Sequence, residues 1–401
     1  MRFLMVSIFY PPYAFGGDAV YVQRLAAELH HRGHEVDVVH CTDSSDFFGA
    51  PPKDFPQTDP HVTVHRLSRP SPRLGPLYSH QTGRPGGLEK ELRQIFLSKE
   101  FDVVHFHNIS LFGAKALSIP CSPGAARLYT MHDHWLVCPL NVLWKYNQRP
   151  CEAPDCIPCQ LRAGRPPQLW RYTSLLADAA AHVDLFLASS HFSAELHRAR
   201  GFDQPIDVLS PFTAEPPEES SPRPHERPYF LFVGRLQRYK GIHDALAAFS
   251  GAGYYDFLIA GEGDELRAVE RADQLNPRIR YLGWMSQEKL HAYYNHALGV
   301  IVPSSGYESF GLVAMEAMAH GAPVVARRRG PLTEIVEESG GGLLFDTTEE
   351  LREQCDRIAG DPALRARLAK AGRGAFESRW TADRHVREYL QKVAALRKRS
   401  Q

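Results

Sequence analysis

The 401-residue chain lacks an excess of either charge: 46 Lys and Arg side chains face 46 Asp and Glu, for a formal net charge of +0 at pH 7. That balance argues against broad electrostatic capture of nucleic acid, and no nucleic-acid partner is expected. Long apolar runs are missing as well. Nothing approaches the roughly 18 residues of a membrane-spanning helix. The opening, MRFLMVSIFYPPY, holds one arginine and an apolar run that stops at Pro11. A secretory signal needs a longer apolar region and a small-residue cleavage site. Phe3–Tyr10 therefore reads as a first buried strand of a cytoplasmic protein. Asp-x-Asp occurs nowhere, so a paired-carboxylate catalytic metal site has no obvious counterpart, and no catalytic metal is expected.

What is present is a rhythm. Short apolar runs rich in Val, Ile, Leu and Phe alternate with segments of helical period. They are FLMVSIFY, EVDVVH, VTVHRL, DVVHFHN, ARLYTMH, LFLASS and IDVLS in the first half, then YFLFVG, DFLIAG, IRYLGW, GVIVPS and PVVARR in the second. Continuous apolar strands alternating with helices imply an α/β fold with parallel sheets covered on both faces. Between the halves, Ser210 to Pro228 is rich in proline and charge and poor in apolar residues, as an interdomain linker would be. The expectation is two doubly wound domains in tandem, facing a cleft formed beyond the carboxyl ends of their strands.

The stretch SSGYESFGLVAMEAMAHG, Ser304 to Gly321, follows a strand and carries Glu308 and Glu316. Ser309 is an N-cap candidate and Gly321 a stop. The two acids would lie about 12 Å apart along the axis, too far for the roughly 5–9.5 Å of a glycosidase carboxylate pair. The spacing suits a long ligand laid across a helix N-terminus. There the N–H groups of Ser309, Phe310, Gly311 and Leu312 would attract an anion such as a diphosphate, and each acid would accept hydrogen bonds from sugar hydroxyls. The bland alternative is a helix with one acid at its start and another on its surface. FVGRLQRYKG places Arg235 and Lys240 at another strand end, where two cations would neutralise a departing diphosphate. Gly16 and Gly17 lie between the first strand and an amphipathic helix, and glycine lets backbone approach a phosphate closely. GEGDE, Gly261 to Glu265, is another glycine-rich strand end.

Taken together, YESFGLVAME, the upstream GRLQRYKG, AGEGDE between them and the N-terminal Gly-Gly loop resemble glycosyltransferase family 4, in order and spacing, from Phe3 to about Trp380. The resemblance implies the GT-B architecture of two Rossmann-like domains. It also implies retaining transfer of a sugar from a nucleotide-sugar donor to a hydroxyl-bearing acceptor. Carried onto this sequence, Glu308 would contact the donor sugar, Glu316 the ribose, and Arg235 and Lys240 the diphosphate. His132, in TMHD, would contact the sugar near the reaction centre. No protein nucleophile is implied. UDP-sugars are the first expectation for the donor and GDP-mannose the second. A nucleotide-sugar epimerase of the same architecture and a non-catalytic sugar-nucleotide-binding protein are the alternatives. The domains expected are 1–212 for the acceptor, a linker 213–228, 229–380 for the nucleotide-sugar, and a C-terminal helix 381–401 crossing back to the first domain. RRRGPLTEIV departs from the family's usual Gly-Gly turn, and SPFTAEP from its usual linker entry.

Of seven cysteines, four fall in one loop of the first domain, 138–159: Cys138, Cys151, Cys156 and Cys159, as C-x12-C-x4-C-x2-C. In a cytosolic chain that spacing favours a metal over disulfides. Structural zinc is the simplest reading and an iron–sulfur cluster the alternative. Downstream, Arg162, Arg165, Trp170, Arg171 and Tyr172 suggest an amphipathic helix over the first sheet. The second reading is a membrane surface or lipid-linked acceptor, with peripheral attachment at the inner membrane face. The final segment has an apolar stripe at Val386, Tyr389, Leu390, Val393 and Leu396, and a basic tail expected to be solvated.

Overall fold

The computed structural model describes residues 1–13, 17–47, 59–217, 221–251 and 253–400. It divides into two compact units. One comprises Met1–Asn141, Asp155–Ser210 and His385–Gln401; the other comprises Val142–Pro154 and Pro211–Arg384.

The first unit is built on a seven-stranded parallel sheet. In chain order its strands are β1 (Arg2–Val6), β2 (Glu35–Cys41), β3 (Thr63–Leu67), β4 (Val103–Phe106), β5 (Ala126–Met131), β6 (Leu185–Ala188) and β7 (Ile206–Val208). Their order across the sheet is β3-β2-β1-β4-β5-β6-β7. Phe3 pairs with Val36 on one side and Val103 on the other, so β1 is a central strand. Leu4, Val6, Val104, Phe106, Tyr129 and Phe186 form its core with the covering helices. Each large apolar side chain buried this way contributes about 1.5–3 kcal/mol.

The second unit repeats the pattern with β8 (Tyr229–Val233), β9 (Asp256–Ala260), β10 (Ile279–Gly283), β11 (Gly299–Val302), β12 (Val324–Arg327) and β13 (Gly342–Phe345), ordered β10-β9-β8-β11-β12-β13. In both sheets the winding reverses beside the first strand, at β1/β4 and β8/β11. The loops at the carboxyl ends diverge there, and doubly wound folds place ligands at that point. The α/β, doubly wound expectation therefore holds for each unit.

Several details differ from the sequence reading. β1 ends at Val6, not Tyr10; the Ile8 N–H turns to the Asn108 carbonyl at 2.7 Å instead of continuing the ladder. β13 was not among the expected strands, because GGLLF has too short an apolar run beside its glycines. Residues Val142–Pro154 of the cysteine-bearing loop, including a small hairpin of Trp144–Lys145 with Arg149–Pro150, belong to the second unit. The expected amphipathic helix after the cysteines is broken into three short pieces, Cys156–Arg162, Leu169–Tyr172 and Leu175–Ala180. The two prolines of GRPPQ and the absence of their N–H donors explain the first break.

The C-terminal helix, Ala382–Ser400, packs in the first unit from His385 onward. Val386, Tyr389 and Val393 are fully buried, Leu396 nearly so, and Leu390 is half-buried. The Tyr389 hydroxyl lies 3.0 Å from His105 Nδ1. His385 Nε2 is 2.8 Å from the Tyr21 hydroxyl, and its Nδ1 donates to the Ser210 carbonyl at 2.7 Å. The basic tail is only partly solvated, since Arg397 pairs with Asp102 at 2.7 Å.

Candidate active site

In the second unit, β8 delivers the chain into Gly234-Arg235, and a single 3-10 turn, Arg238–Lys240, follows. Gly241 then takes φ +73°, and a Cβ there would sit 1.9 Å from the Pro303 carbonyl oxygen at the end of β11. Only glycine permits that approach, which draws the loop after β8 against the loop after β11 across the switch point. The Gly306 N–H, bonded to the Tyr239 carbonyl at 2.8 Å, ties them again.

This close approach joins residues 68 positions apart. Lys240 Nζ donates to both carboxylate oxygens of Glu308, at 2.7 and 2.8 Å. The Ser304 hydroxyl donates to the same carboxylate. Burial pushes the Glu308 carboxyl up, but the charge and hydrogen bonds of Lys240, the Ser304 hydroxyl and the charge of Arg235 outweigh it and hold the group below its ordinary range. Tyr239 supports both cations. Its ring lies 5.7 Å from the Arg235 guanidinium and 5.4 Å from Lys240 Nζ, and its hydroxyl accepts from Arg235. Lys240 and Glu308, expected at different parts of a ligand, are paired with each other, and Tyr239 and Ser304 join them with no signal in the sequence. A contact across 68 residues leaves no local periodicity to read.

The helix after Glu308 starts later than expected. It spans Leu312–Ala319, with Gly311 at φ +118° as its N-cap, so Ser309 is not the cap. A Cβ at Gly311 would meet Leu332 Cδ2 at 2.7 Å, and that packing moves the start. Ser309 and Phe310 precede the helix, and Phe310 is buried against Trp380, ring centroids 6.1 Å apart. Of the four expected N–H groups, only those of Gly311 and Leu312 lie at the observed N-terminus. Glu316 is not with Glu308. It accepts from Gln287 Nε2 at 3.1 Å and from the buried Tyr294 hydroxyl at 3.0 Å.

The arginine run has structural uses. Arg327 pairs with Asp244 and donates to the Pro303 carbonyl at 3.1 Å, bracing the end of β11. Arg328 pairs with Glu337 and Asp346. Arg329 lies over the Tyr307 ring at 6.0 Å, with a buried Nε that has no hydrogen-bond partner among the described residues.

In the first unit, His132 follows β5. Its Nε2 is 3.0 Å from His107 Nδ1, and its ring meets Tyr21 edge-on at 5.0 Å. Burial lowers the His132 pKa to about 3, so the imidazole is neutral. His105 on β4 and His107 just past its end have ring centroids 4.1 Å apart with planes tilted at 39°; the i, i+2 spacing in DVVHFHN was the available signal. Next to His132, Asp133 is pushed up to about 6 by burial, against donation from the Trp135 N–H and Asn141 Nδ2, both at 2.9 Å. Gly17 begins the helix Gly17–His31; Gly16 lies outside the described residues. A cavity of about 770 Å³ bordered by Arg2, Glu35 and Asp102 opens at the amino ends of the strands, away from His132.

None of Cys138, Cys151, Cys156 and Cys159 is in a disulfide; Cys138 and Cys159 are buried and the other two half-buried. Cys156 and Cys159 sit one turn apart on the helix Cys156–Arg162. Arg171 is stacked between Trp135 and Trp170 at 4.9 and 4.8 Å. Its pKa falls to about 10 through burial, opposed by the nearby Cys138 and Cys156 and by Tyr129 and Asp133. Trp170 is itself buried and donates to the His80 carbonyl at 2.9 Å. These two side chains are packing elements of the first unit.

Two doubly wound sheets, with ion-paired and aromatic side chains gathered at the carboxyl ends of their strands, define a GT-B glycosyltransferase fold. The chain belongs to glycosyltransferase family 4: that family's model matches residues 15–215, and the model for glycosyl transferases group 1 matches residues 215–375. It is an enzyme of sugar transfer. It is 27% identical over 390 residues to D-inositol 3-phosphate glycosyltransferase of Arthrobacter sp. (strain FB24), covering 89% of this chain and 85% of that one. It is likewise 27% identical over 410 residues to glycogen synthase of Mycobacterium tuberculosis, with 93% and 89% covered. Among solved structures, sucrose-phosphate synthase from Thermosynechococcus elongatus superposes with a TM-score of 0.74 at 23% identity, covering 98% of this chain and 99% of that one. Anabaena HepE in complex with UDP gives 0.68 at 18% identity, with 98% and 100% covered. No described helix is long and apolar enough to cross a membrane.

Proposed function

We propose that the protein transfers a sugar, with retention of anomeric configuration, from a UDP-sugar to an acceptor hydroxyl, and that the second unit binds the donor. The observation that carries this reading is the gathering of Lys240, Glu308, Ser304 and Arg235 at the β8/β11 switch point. An ammonium has three N–H donors, and Glu308 engages two directions of Lys240, leaving donor capacity for a diphosphate oxygen. Glu308, kept ionised, accepts from sugar hydroxyls and steadies positive charge that develops at the sugar as the diphosphate leaves. Arg235 and Lys240 stabilise the leaving group in place of a metal. Glu316, pre-oriented by Tyr294 and Gln287, accepts from the ribose.

His132 then acts as a neutral hydrogen-bonding group, since an imidazole that protonates only near pH 3 is a poor base at neutral pH. With no protein nucleophile assigned, the leaving phosphate takes the acceptor proton, and both bond changes occur on one face of the sugar. UDP is favoured over GDP by the UDP and UDP-glucose complexes of HepE.

The experiment is a thermal-shift panel of UDP, GDP, ADP and TDP, followed by labelled sugar nucleotides with an acceptor library. A ligand at a hundredfold excess over its Kd adds about 2.7 kcal/mol to the native state; UDP should do so and the others much less. Interconversion of sugars without transfer would identify an epimerase, and nucleotide binding without turnover a non-catalytic protein.

A further inference from the structure

The helix Gly17–His31 ends in two adjacent histidines, His30 and His31. The chain segment that leads into the edge strand β3 brings Asp59 and His61 against that last turn. One ligand atom from each of His30, Asp59 and His61 lies within 4.8 Å of the other two. The His30 and His61 rings stand parallel, with centroids 5.0 Å apart and planes 16° apart. Asp59 is already oriented, because its Oδ1 accepts the His61 backbone N–H at 2.9 Å and its Oδ2 faces His31 Nε2 at 3.3 Å. Three imidazoles thus surround a single carboxylate, and each neutral ring offers a nitrogen lone pair.

We propose that His30, Asp59 and His61 form a transition-metal site, with His31 or water completing the coordination. Two imidazoles and a carboxylate suit Zn²⁺ better than Mg²⁺ or Ca²⁺, which take oxygen ligands. The helix C-terminus, with its negative dipole end, favours a cation there. The ion would clip the end of the helix to the chain entering β3, which is the edge strand of the sheet among the described residues. The site lies at the amino ends of the strands, whereas this fold handles ligands at the carboxyl ends. Its consequence is therefore stability of the first unit, not chemistry on the sugar.

The test uses full-length protein without a histidine tag, stripped with chelator and dialysed. Zn²⁺ is titrated in competition with a chromophoric chelator, and melting is followed with Zn²⁺ and with Mg²⁺. The wild type should bind Zn²⁺ at this site and melt higher with it, with no response to Mg²⁺. His30→Gln/His61→Gln and Asp59→Asn should each weaken that binding at least tenfold and abolish the zinc-dependent rise, while melting like the wild type in the absence of metal. Cys156→Ser/Cys159→Ser should leave this response intact, which separates it from any thiolate-bound metal. Cobalt bound here should lack the thiolate-to-cobalt charge-transfer band. Unchanged zinc affinity in the His30/His61 double variant, or zinc binding lost entirely with the cysteines, would overturn the proposal.

Discussion

Replacing Lys240 by methionine should destabilise the second unit chiefly through the carboxylate it leaves behind. The side chains of Lys240 and Glu308 are 19% and 14% exposed, so neither charge can rehydrate fully in place. At their 2.7 Å separation the gross attraction is about 6 kcal/mol at an effective dielectric constant near 20, and most of it offsets desolvation. Breaking a buried pair from one side costs about 3–5 kcal/mol. Because Ser304 still donates to Glu308, the lower end applies, about 3 kcal/mol for Lys240→Met. Glu308→Gln keeps an acceptor for Lys240 and should cost about 1.5 kcal/mol, the low end for one hydrogen bond to a charged group. Lys240→Met/Glu308→Gln leaves no orphaned charge, so it should cost about 2 kcal/mol, well short of the sum, with a coupling of about 2.5 kcal/mol. The assay is urea and thermal unfolding of all four proteins at pH 7 without nucleotide. The pH dependence adds a check. Glu308 has a folded pKa below its unfolded one, so its contribution is present above the unfolded value and disappears as the pH falls through the folded value. Without Lys240 that loss should begin at higher pH. Additive single-variant effects, with coupling below about 0.5 kcal/mol, would refute the argument that this pair assembles the site.

Glu308→Gln should lower turnover far more than UDP affinity, whereas Glu316→Gln should weaken UDP and UDP-sugar alike by about 1.5–3 kcal/mol; calorimetry beside steady-state kinetics decides, and the reverse pattern would invert the placement of the ligand. Gly241→Ala must push against the Pro303 carbonyl, so it should weaken nucleotide binding through displacement of Lys240, and wild-type UDP affinity in that variant would contradict the close-approach argument. Burial lowers the pKa of His385 to about 4 and of His132 to about 3, with His105 and His107 lowered as well. Their unfolded forms protonate near 6.5, so stability is full above that pH and falls toward pH 4, about 1.4 kcal/mol per unit for each independent group; Asp133, raised to about 6, opposes in part. The melting temperature should drop from pH 6.5 to 4.5 with a shallower slope in His385→Asn, and a flat profile would count against the buried cluster. Elemental analysis of purified, reduced protein tests the thiolate reading: one equivalent of zinc or iron that Cys156→Ser/Cys159→Ser loses, beyond any zinc held at His30, Asp59 and His61, would support it, and no difference between the two proteins would reject it.

The order of elements was legible from sequence because parallel strands buried on both faces must be continuously apolar, and runs such as YFLFVG admit few other readings. The residue types of the site were legible for the same local reason: Arg235 and Lys240 follow one strand, Glu308 another and His132 a third. Their partners were not. Lys240 meets Glu308 because β8 and β11, separated by two strands in sequence, are neighbours at the switch point and Gly241 allows contact there. Glu316 is turned toward Tyr294 by helix packing, and the helix starts at Leu312 because Gly311 closes against Leu332. His385 reaches Tyr21, 364 residues away, only because the last helix packs in the first unit. Periodicity records which face of an element is buried, a property of neighbours along the chain. Which charges then pair, and which acid stays ionised, depends on distances between loops that no local pattern encodes, and the tertiary structure alone decides them.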